Sequence, residues 1–390
     1  MSNSSNTKEK TQSVHKSKIG GQALFEGVMM RGVGKEAMAV RKKDGSIFVE
    51  SKDVPANKWY QKTLFIRGVF NFVIQMKNGY RYMMRSMDVS GFLDEEDEQL
   101  TIDSGSAETP DNLTVDESEP VKNAEPVENT ESVEIKKAEE EFEELKEDIK
   151  QEKSKKQKTE EGIIGVLGMV LGLALAIVLF MFVPNWTATA LNSLFDIDLE
   201  MFHSLIAGII RIILFVIYMW AISFMKEIRV TYEYHGAEHK TIAAYEAGEE
   251  LDPENVENVK KYKRFHPRCG TSFIFLVLAI SILIYSILPL RPTNIIDYVQ
   301  QLFGFVIVSW QANIVRTVIQ IMLLPFLVGI TYEIIKLAGR YDRNIIMRII
   351  SAPGLGLQRL TTKEPSEKQL QVAVSAMIPV IPEDKGEDKW

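Results

Sequence analysis

From residue 163 onward the chain alternates long apolar runs with short charged stretches, whereas no apolar run before it exceeds a few positions. Ile163 to Val183 is an unbroken apolar run of 21 residues, long enough to cross a hydrocarbon core of about 30 Å as a helix. A second run, from about Ser204 to Met225, is broken by Arg211. A third covers Ser272 to Leu290 and a fourth about Val318 to Leu337. Phe303 to Trp310 is apolar but too short to cross, and is expected at the outer surface or dipping back into the membrane. The pattern predicts a mainly α, polytopic membrane protein: about four transmembrane helices in a bundle over residues 161–338, plus a small cytoplasmic β unit.

That β unit belongs to the first 87 residues. Ala37 to Arg41 and Ser46 to Glu50 flank Lys42-Lys43-Asp44-Gly45, and Asp-Gly between two such segments signals a hairpin. Before it, Ile19 to Gly32 carries four glycines in a largely apolar sequence. This suits a tight loop closely approached by other backbone, or a lead-in to the first strand. Leu64 to Met87 has Phe65, Val69, Phe72, Val73 and Met76 near helical spacing, with Arg67, Lys77, Arg81 and Arg85 between them. It predicts an amphipathic helix on the cytoplasmic leaflet or the bundle, or a soluble core helix.

Composition then separates the tails from the rest. Residues 1–18 read as a disordered tail, 88–132 as an acidic disordered linker, and 133–160 as a charged helical spacer with one apolar seam. Residues 339–390 read as a cytoplasmic tail. There Pro353-Gly354-Leu355-Gly356-Leu357 should end any helix, and Ser366 to Met377 should form a short one burying Leu370, Ala373, Val374 and Met377. No secretory leader is visible, so the first span is expected to act as an internal anchor. The formal charge is −8, yet residues 91–150 hold 22 acidic residues against 5 lysines; the remainder is net positive. A positive remainder suits anionic lipid as a partner, with other membrane proteins as further partners and nucleic acid discounted. The loop 226–270 is rich in Lys and Arg while 184–202 has none. That bias places the loop and both termini in the cytoplasm of a multi-pass protein of the cell membrane.

Three of the five histidines and the sole cysteine fall within 35 residues of that loop. In Tyr234-His235-Gly236-Ala237-Glu238-His239-Lys240 the spacing brings His235, Glu238 and His239 within about a 100° arc of one helix. H-x-x-E-H is the order in which two histidines hold a cation and the glutamate acts as general base. Equally, it is a charged helix leaving the bilayer with both imidazoles solvated. Phe265-His266-Pro267-Arg268-Cys269-Gly270 offers His266 and Cys269 as further ligands, or as a turn residue and a small buried residue. Four closed ligands would make a structural site, three plus water a catalytic one, with zinc a suitable divalent metal. A helix from Asp252-Pro253 to about Arg264 would fold His266 back toward His239. Arg211 is expected to snorkel outward or to pair inside the bundle. Glu333 is a further functional candidate, or a partner of Lys336 or Arg340.

The segments Gly20 to Gly32, Glu233 to Lys240, His266 to Phe273 and Pro353 to Pro365 together resemble the YqhQ-type family of uncharacterised bacterial integral membrane proteins. The resemblance covers nearly the whole chain apart from the tails and the acidic insert, and implies at most a metal-dependent enzyme. It places His235, Glu238, His239, His266 and Cys269 in the family's histidine-rich motifs and Gln22, Glu26 and Arg31 in its N-terminal one. Three functions follow as expectations: a metal-dependent hydrolase at the cytoplasmic face, a non-catalytic membrane-protein scaffold or assembly factor, and a transporter resting on Arg211 and Glu333.

Overall fold

The computed structural model describes residues 16–92, 167–195, 202–384 and 386–388, except positions 56, 57, 62, 65, 169, 267, 342 and 343. The acidic linker from residue 93 on, the helical spacer and nearly all of the N-terminal tail lie outside the described residues, while residues 88–90, expected in that linker, instead complete the helix Ile66–Ser90. The chain divides into two compact units, one of residues 1–101 with 180–390 and one of residues 102–179. The architecture below is that of the first.

Among the described residues, four helices are long and apolar enough to cross a membrane: Val170–Leu191, His203–Ile222, Gly270–Ile287 and Ser309–Arg340. The second, third and fourth are here α3, α6 and α8. The first passes through a π turn at Val178–Phe182 into α2 (Val183–Phe195). It therefore continues beyond the expected end at Val183, because its polar residues find partners. Thr187 Oγ1 donates to the Val183 carbonyl at 2.8 Å, and Asn185 Nδ2 donates to Gln320 Oε1 at 3.1 Å. The fourth begins nine residues before the expected Val318, since Asn313, Arg316 and Thr317 are buried against neighbouring helices. Phe303 to Trp310 is not a separate element. It comprises the end of α7 (Pro292–Phe303), a connection opened by left-handed Gly304, and the start of α8. Its Phe305, Val306, Val308 and Trp310 are exposed, while Ile307 is buried.

Beyond the spans, the N-terminal β unit is a four-stranded antiparallel meander: β1 Gly20–Leu24, β2 Gly27–Arg31, β3 Lys35–Arg41 and β4 Ile47–Asp53. The Asp44-Gly45 turn is as expected, with Gly45 left-handed and Asp44 Oδ1 accepting from the Ser46 amide at 2.8 Å. The glycine-rich segment is not a loop, because it forms the first hairpin. Its glycines instead allow close approach: a Cβ at Gly27 would lie 2.5 Å from the Ala39 carbonyl oxygen, and one at Gly32 2.3 Å from that of Val380.

Period-two alternation gives the sheet two apolar faces. Leu24, Met29, Met38 and Val40 face α1 (Ile66–Ser90) and its Tyr82. Val28, Met30, Ala37 and Ala39 face α4 (Lys226–Glu246) and α10 (Glu367–Met377). α10 follows the expected pattern, with Ser366 and Gln369 forming a capping box and Leu370, Ala373, Val374 and Met377 buried. α9 (Ile345–Thr361) departs from it: the helix runs through Pro353 and Gly354. Gly354 presses on α6, where a Cβ would meet Ser272 at 2.7 Å, and Gln358 is buried and bonded to both Ser272 and His266. Tertiary packing outweighs weak local propensity here. The helix expected from Asp252 to Arg264 shrinks to α5 (Glu257–Lys260).

α1 connects the two layers. Its Gly68 lies against Gly329 and Tyr332 of α8, and Arg67 makes a two-pronged ion pair with Glu333. Glu333 thus has Arg67 as a partner from outside its own helix. At the other end, Tyr82 donates to Glu36 Oε1 at 2.7 Å. Burial pushes the Glu36 carboxyl up, but hydrogen bonds from Lys52 and Tyr82 and the charges of Lys52 and Arg31 outweigh it and hold it below the ordinary carboxylate range. In a double-mutant cycle, Arg67→Ala and Glu333→Ala are expected to show a coupling of about 1–3 kcal/mol in thermal unfolding. Purely additive effects would mean that the pair does not hold α1 to the bundle.

Candidate metal centre

Α break at Ser223–Met225 separates α3 from α4, so α4 leaves the bundle and lies over the sheet. On it, His235 and His239 are one turn apart with ring centroids 4.4 Å apart. His235 Nδ1 donates to the Thr361 carbonyl at 2.8 Å, and His239 Nδ1 donates to the Arg264 carbonyl at 2.6 Å. A carbonyl only accepts, so each ring carries a proton on Nδ1, which leaves Nε2 as the nitrogen available to a metal. This is the arrangement that orients ligating imidazoles in metal sites. His235 Nε2 lies 3.1 Å from Cys269 Sγ, at the N-cap position of α6. One ligand atom from each of His235, His239 and Cys269 lies within 4.8 Å of the others. This buried His, His, Cys group can hold a metal ion.

Glu238 lies beside it, 5% exposed. It accepts from the Gly21 amide of β1, while its Oε2 has no partner. Burial pushes its carboxyl up to about 7, against the opposing pull of His235 and the Gly21 amide. Gly21 is pressed on this carboxylate: a Cβ there would lie 2.9 Å from Glu238 Cδ. His266 is folded back as expected, its ring 5.5 Å from that of His239. Its Nε2 is 3.3 Å from Arg268 Nη2, however, so it faces a guanidinium and lies outside the three-ligand group. Burial, then Arg268 and the other two histidines, hold its imidazole well below the ordinary histidine range. Arg268 in turn is bonded to Glu246 and to the Ser17 carbonyl.

The remaining sequence candidates stand elsewhere. Glu26 occupies the β1–β2 turn at φ 47° and accepts from Tyr234 Oη at 3.1 Å, so the N-terminal motif reaches α4 next to His235. Gln22 points to the other face of the sheet, against Gly79 of α1. Arg31 is 3.9 Å from Glu36. Arg211 does not snorkel: it is 5% exposed, and its Nε donates to the Phe180 carbonyl of the π turn at 2.7 Å. That turn shifts the backbone hydrogen-bond pattern and leaves an acceptor inside the bundle.

Sequence reasoning named the side chains but missed what positions them. Residues 361–365 cross α4 directly over Gly236, where a Cβ would lie 2.0 Å from the Lys363 carbonyl oxygen. The Lys363 amide donates to the Tyr232 carbonyl at 2.9 Å, and buried Lys240 pairs with Glu364 and donates to the Lys260 carbonyl. The signal was present, because glycine inside a helix costs about 1 kcal/mol relative to alanine and calls for a reason. Gly236→Ala should therefore destabilise the protein by about 3 kcal/mol through forced separation of backbones. Gly356→Ala, on α9 with nothing within 4 Å of its Cβ position, should be neutral or stabilising by up to about 1 kcal/mol. Equal thermal shifts for the two variants would contradict the close approach.

Comparison with known proteins places the chain in a family without assigning it an activity. A family model described as "Protein of unknown function (DUF1385)" matches residues 64–383. The chain is 26% identical over 360 residues to "Uncharacterized protein YqhQ" of Bacillus subtilis (strain 168), covering 92% of this chain and 90% of that protein. No solved structure matches.

Proposed function

The chain belongs to the DUF1385 family, whose function is unknown, and from that premise we propose that it is an integral membrane protein and metal-dependent hydrolase with its centre at the cytoplasmic face. One observation carries the reading. Two imidazoles with their Nδ1 protons given to backbone carbonyls converge with a thiol, beside a buried carboxylate whose Oε2 is unpartnered. The donor set fits zinc, and three protein ligands leave a fourth position for water or substrate.

In this reading His235, His239 and Cys269 hold the metal. When bound, it supplies Lewis acidity to a scissile carbonyl or phosphoryl group. Glu238 accepts the proton of the attacking water and then returns it to the leaving group. His266, neutral and bonded to Arg268, supports the wall of the site. The lipid bilayer is the medium, and orientation follows from the basic residues of 226–270 under the positive-inside tendency.

A second reading, a non-catalytic scaffold stapled by metal, is favoured by the burial of the centre: His239 is 1% and Cys269 6% exposed. The two diverge at Glu238. Detergent-purified protein is expected to carry close to one equivalent of zinc or another divalent metal by mass spectrometry, lost in His235→Ala/His239→Ala. Glu238→Gln should retain the metal and lose at least about 100-fold of hydrolytic activity on ester or peptide substrates. Metal without any activity, unchanged by Glu238→Gln, would favour the scaffold; no metal after supplementation would sink both versions.

Orientation has its own check. In cells, a membrane-impermeant maleimide should label Leu194→Cys, at the exposed end of α2, and not Lys42→Cys, in the β3–β4 turn. The reverse pattern would invert the topology.

A further inference from the structure

At the end of the bundle away from the sheet, α2, α3 and α8 enclose a second polar cluster, which the metal centre does not use. Arg316 is 0% exposed. Its Nη1 contacts His203 Nδ1, its Nη2 donates to Ser204 Oγ at 3.0 Å, and its Nε is buried with no partner. A guanidinium only donates, so His203 Nδ1 accepts and the ring is neutral, with its Nε2 proton directed to Thr189 Oγ1 at 3.0 Å. Arg316 therefore gains hydrogen bonds from its neighbours but no opposite charge. Arg211, the second buried guanidinium of the bundle, lies over the Tyr285 ring at 5.9 Å and bonds a carbonyl. Among the described residues, no carboxylate pairs with either arginine.

Two further features point the same way. α3 begins at His203 with no side-chain cap, so the first-turn N–H groups and the positive pole of a 20-residue helix face this cluster's edge. The side-chain oxygens of Asn185 and Asn313, residues 0% and 2% exposed, are buried without partners. A guanidinium withdrawn from water costs several kcal/mol unless its charge is met, and ionisable groups within membrane bundles mark binding sites by default. Among the described residues the cluster lacks a negative charge and, at the amide oxygens, hydrogen-bond donors. A hydroxylated phosphate supplies both. Arg316 is about 10 Å from the start of α8 at 1.5 Å per residue.

We propose that this end of the bundle is a phosphate-binding site, in which Arg316 meets the charge and Ser204 and the first turn of α3 donate to the remaining oxygens. The ligand is inorganic phosphate or the hydroxylated phosphate headgroup of a lipid such as phosphatidylglycerol.

The test uses full-length, delipidated protein in detergent, titrated in one arm with inorganic phosphate at constant ionic strength. The other arm uses phosphatidylglycerol, with phosphatidylcholine as control. A saturable rise in Tm in one arm is expected and identifies the source. Arg316→Lys keeps the charge, and so the fold, but loses the guanidinium fork. It should weaken the apparent affinity at least about tenfold, a change of 1.4 kcal/mol. No rise in either arm, or a rise unchanged in Arg316→Lys, would overturn the site. Asp196, Asp198 and Glu200, in the connection before α3, lie outside the described residues and provide the rival source of charge. If Asp196→Asn/Asp198→Asn/Glu200→Gln lowers Tm and only then makes the protein respond to phosphate, the native partner is the chain's own carboxylate and the proposal is wrong.

Discussion

Two imidazole N–H groups on one helix, each given to the main-chain carbonyl of a different distant segment, hold the end of this bundle together. The Thr361 carbonyl ends α9 and would otherwise be one of the four unpaired acceptors of a helix C-terminus; His235 meets it. The Arg264 carbonyl belongs to the irregular stretch before α6, and His239 meets that one. The same two bonds fix which nitrogen of each ring is free. Satisfying the backbone and preparing the ligand set are thus one event, which is why the chemistry and the packing of α4 cannot be separated.

Charge is distributed very differently at the two ends of the bundle. Near the sheet, the ionic groups have opposite partners: Arg67 with Glu333, Arg268 with Glu246, Lys240 with Glu364. At the far end the described polar groups are neutral or cationic, with Arg316 and His203 sharing donors and acceptors but no anion. Paired charges can be buried with little net cost when geometry is good, whereas a lone charge cannot. The asymmetry separates a self-contained layer from one that draws on something outside the described chain.

Much of the fold was legible because single physical signals dominate there. Apolar runs gave the spans, Asp44-Gly45 gave a hairpin, and the Ser366 cap with its apolar spacing gave α10. The errors arose where two signals competed. Pro353 and Gly354 argue against a helix locally, yet contact with Ser272 and the burial of Gln358 carry α9 through them. The four glycines between residues 20 and 32 looked like a loop because their role, close passage of other backbone and of Glu238, lies in partners remote in sequence. At the candidate metal centre the H-x-x-E-H spacing pointed to His235 and His239 but not to Gly236, although the glycine stands inside the motif. Arg316 was missed because the polar residues at 313, 316, 317 and 320 face other helices and so hide the first third of α8 from a hydropathy reading.

The weaving of residues 17–53 with residues 226–246 and 367–388 sets the order in which the sheet can be covered. The Lys18 amide bonds the Asp388 carbonyl, Ser17 bonds Glu246, and one apolar face of the sheet is covered by α4 and by α10, the last long helix. The ribosome delivers residues 20–53 well before residues 367–388. Until the final segment emerges, that face of the meander has no complete cover, and every candidate membrane helix has already been made. Such long-range closure is slow and leaves apolar surface open in the meantime. Synthesis of this protein therefore carries a waiting period, during which the early sheet needs shielding.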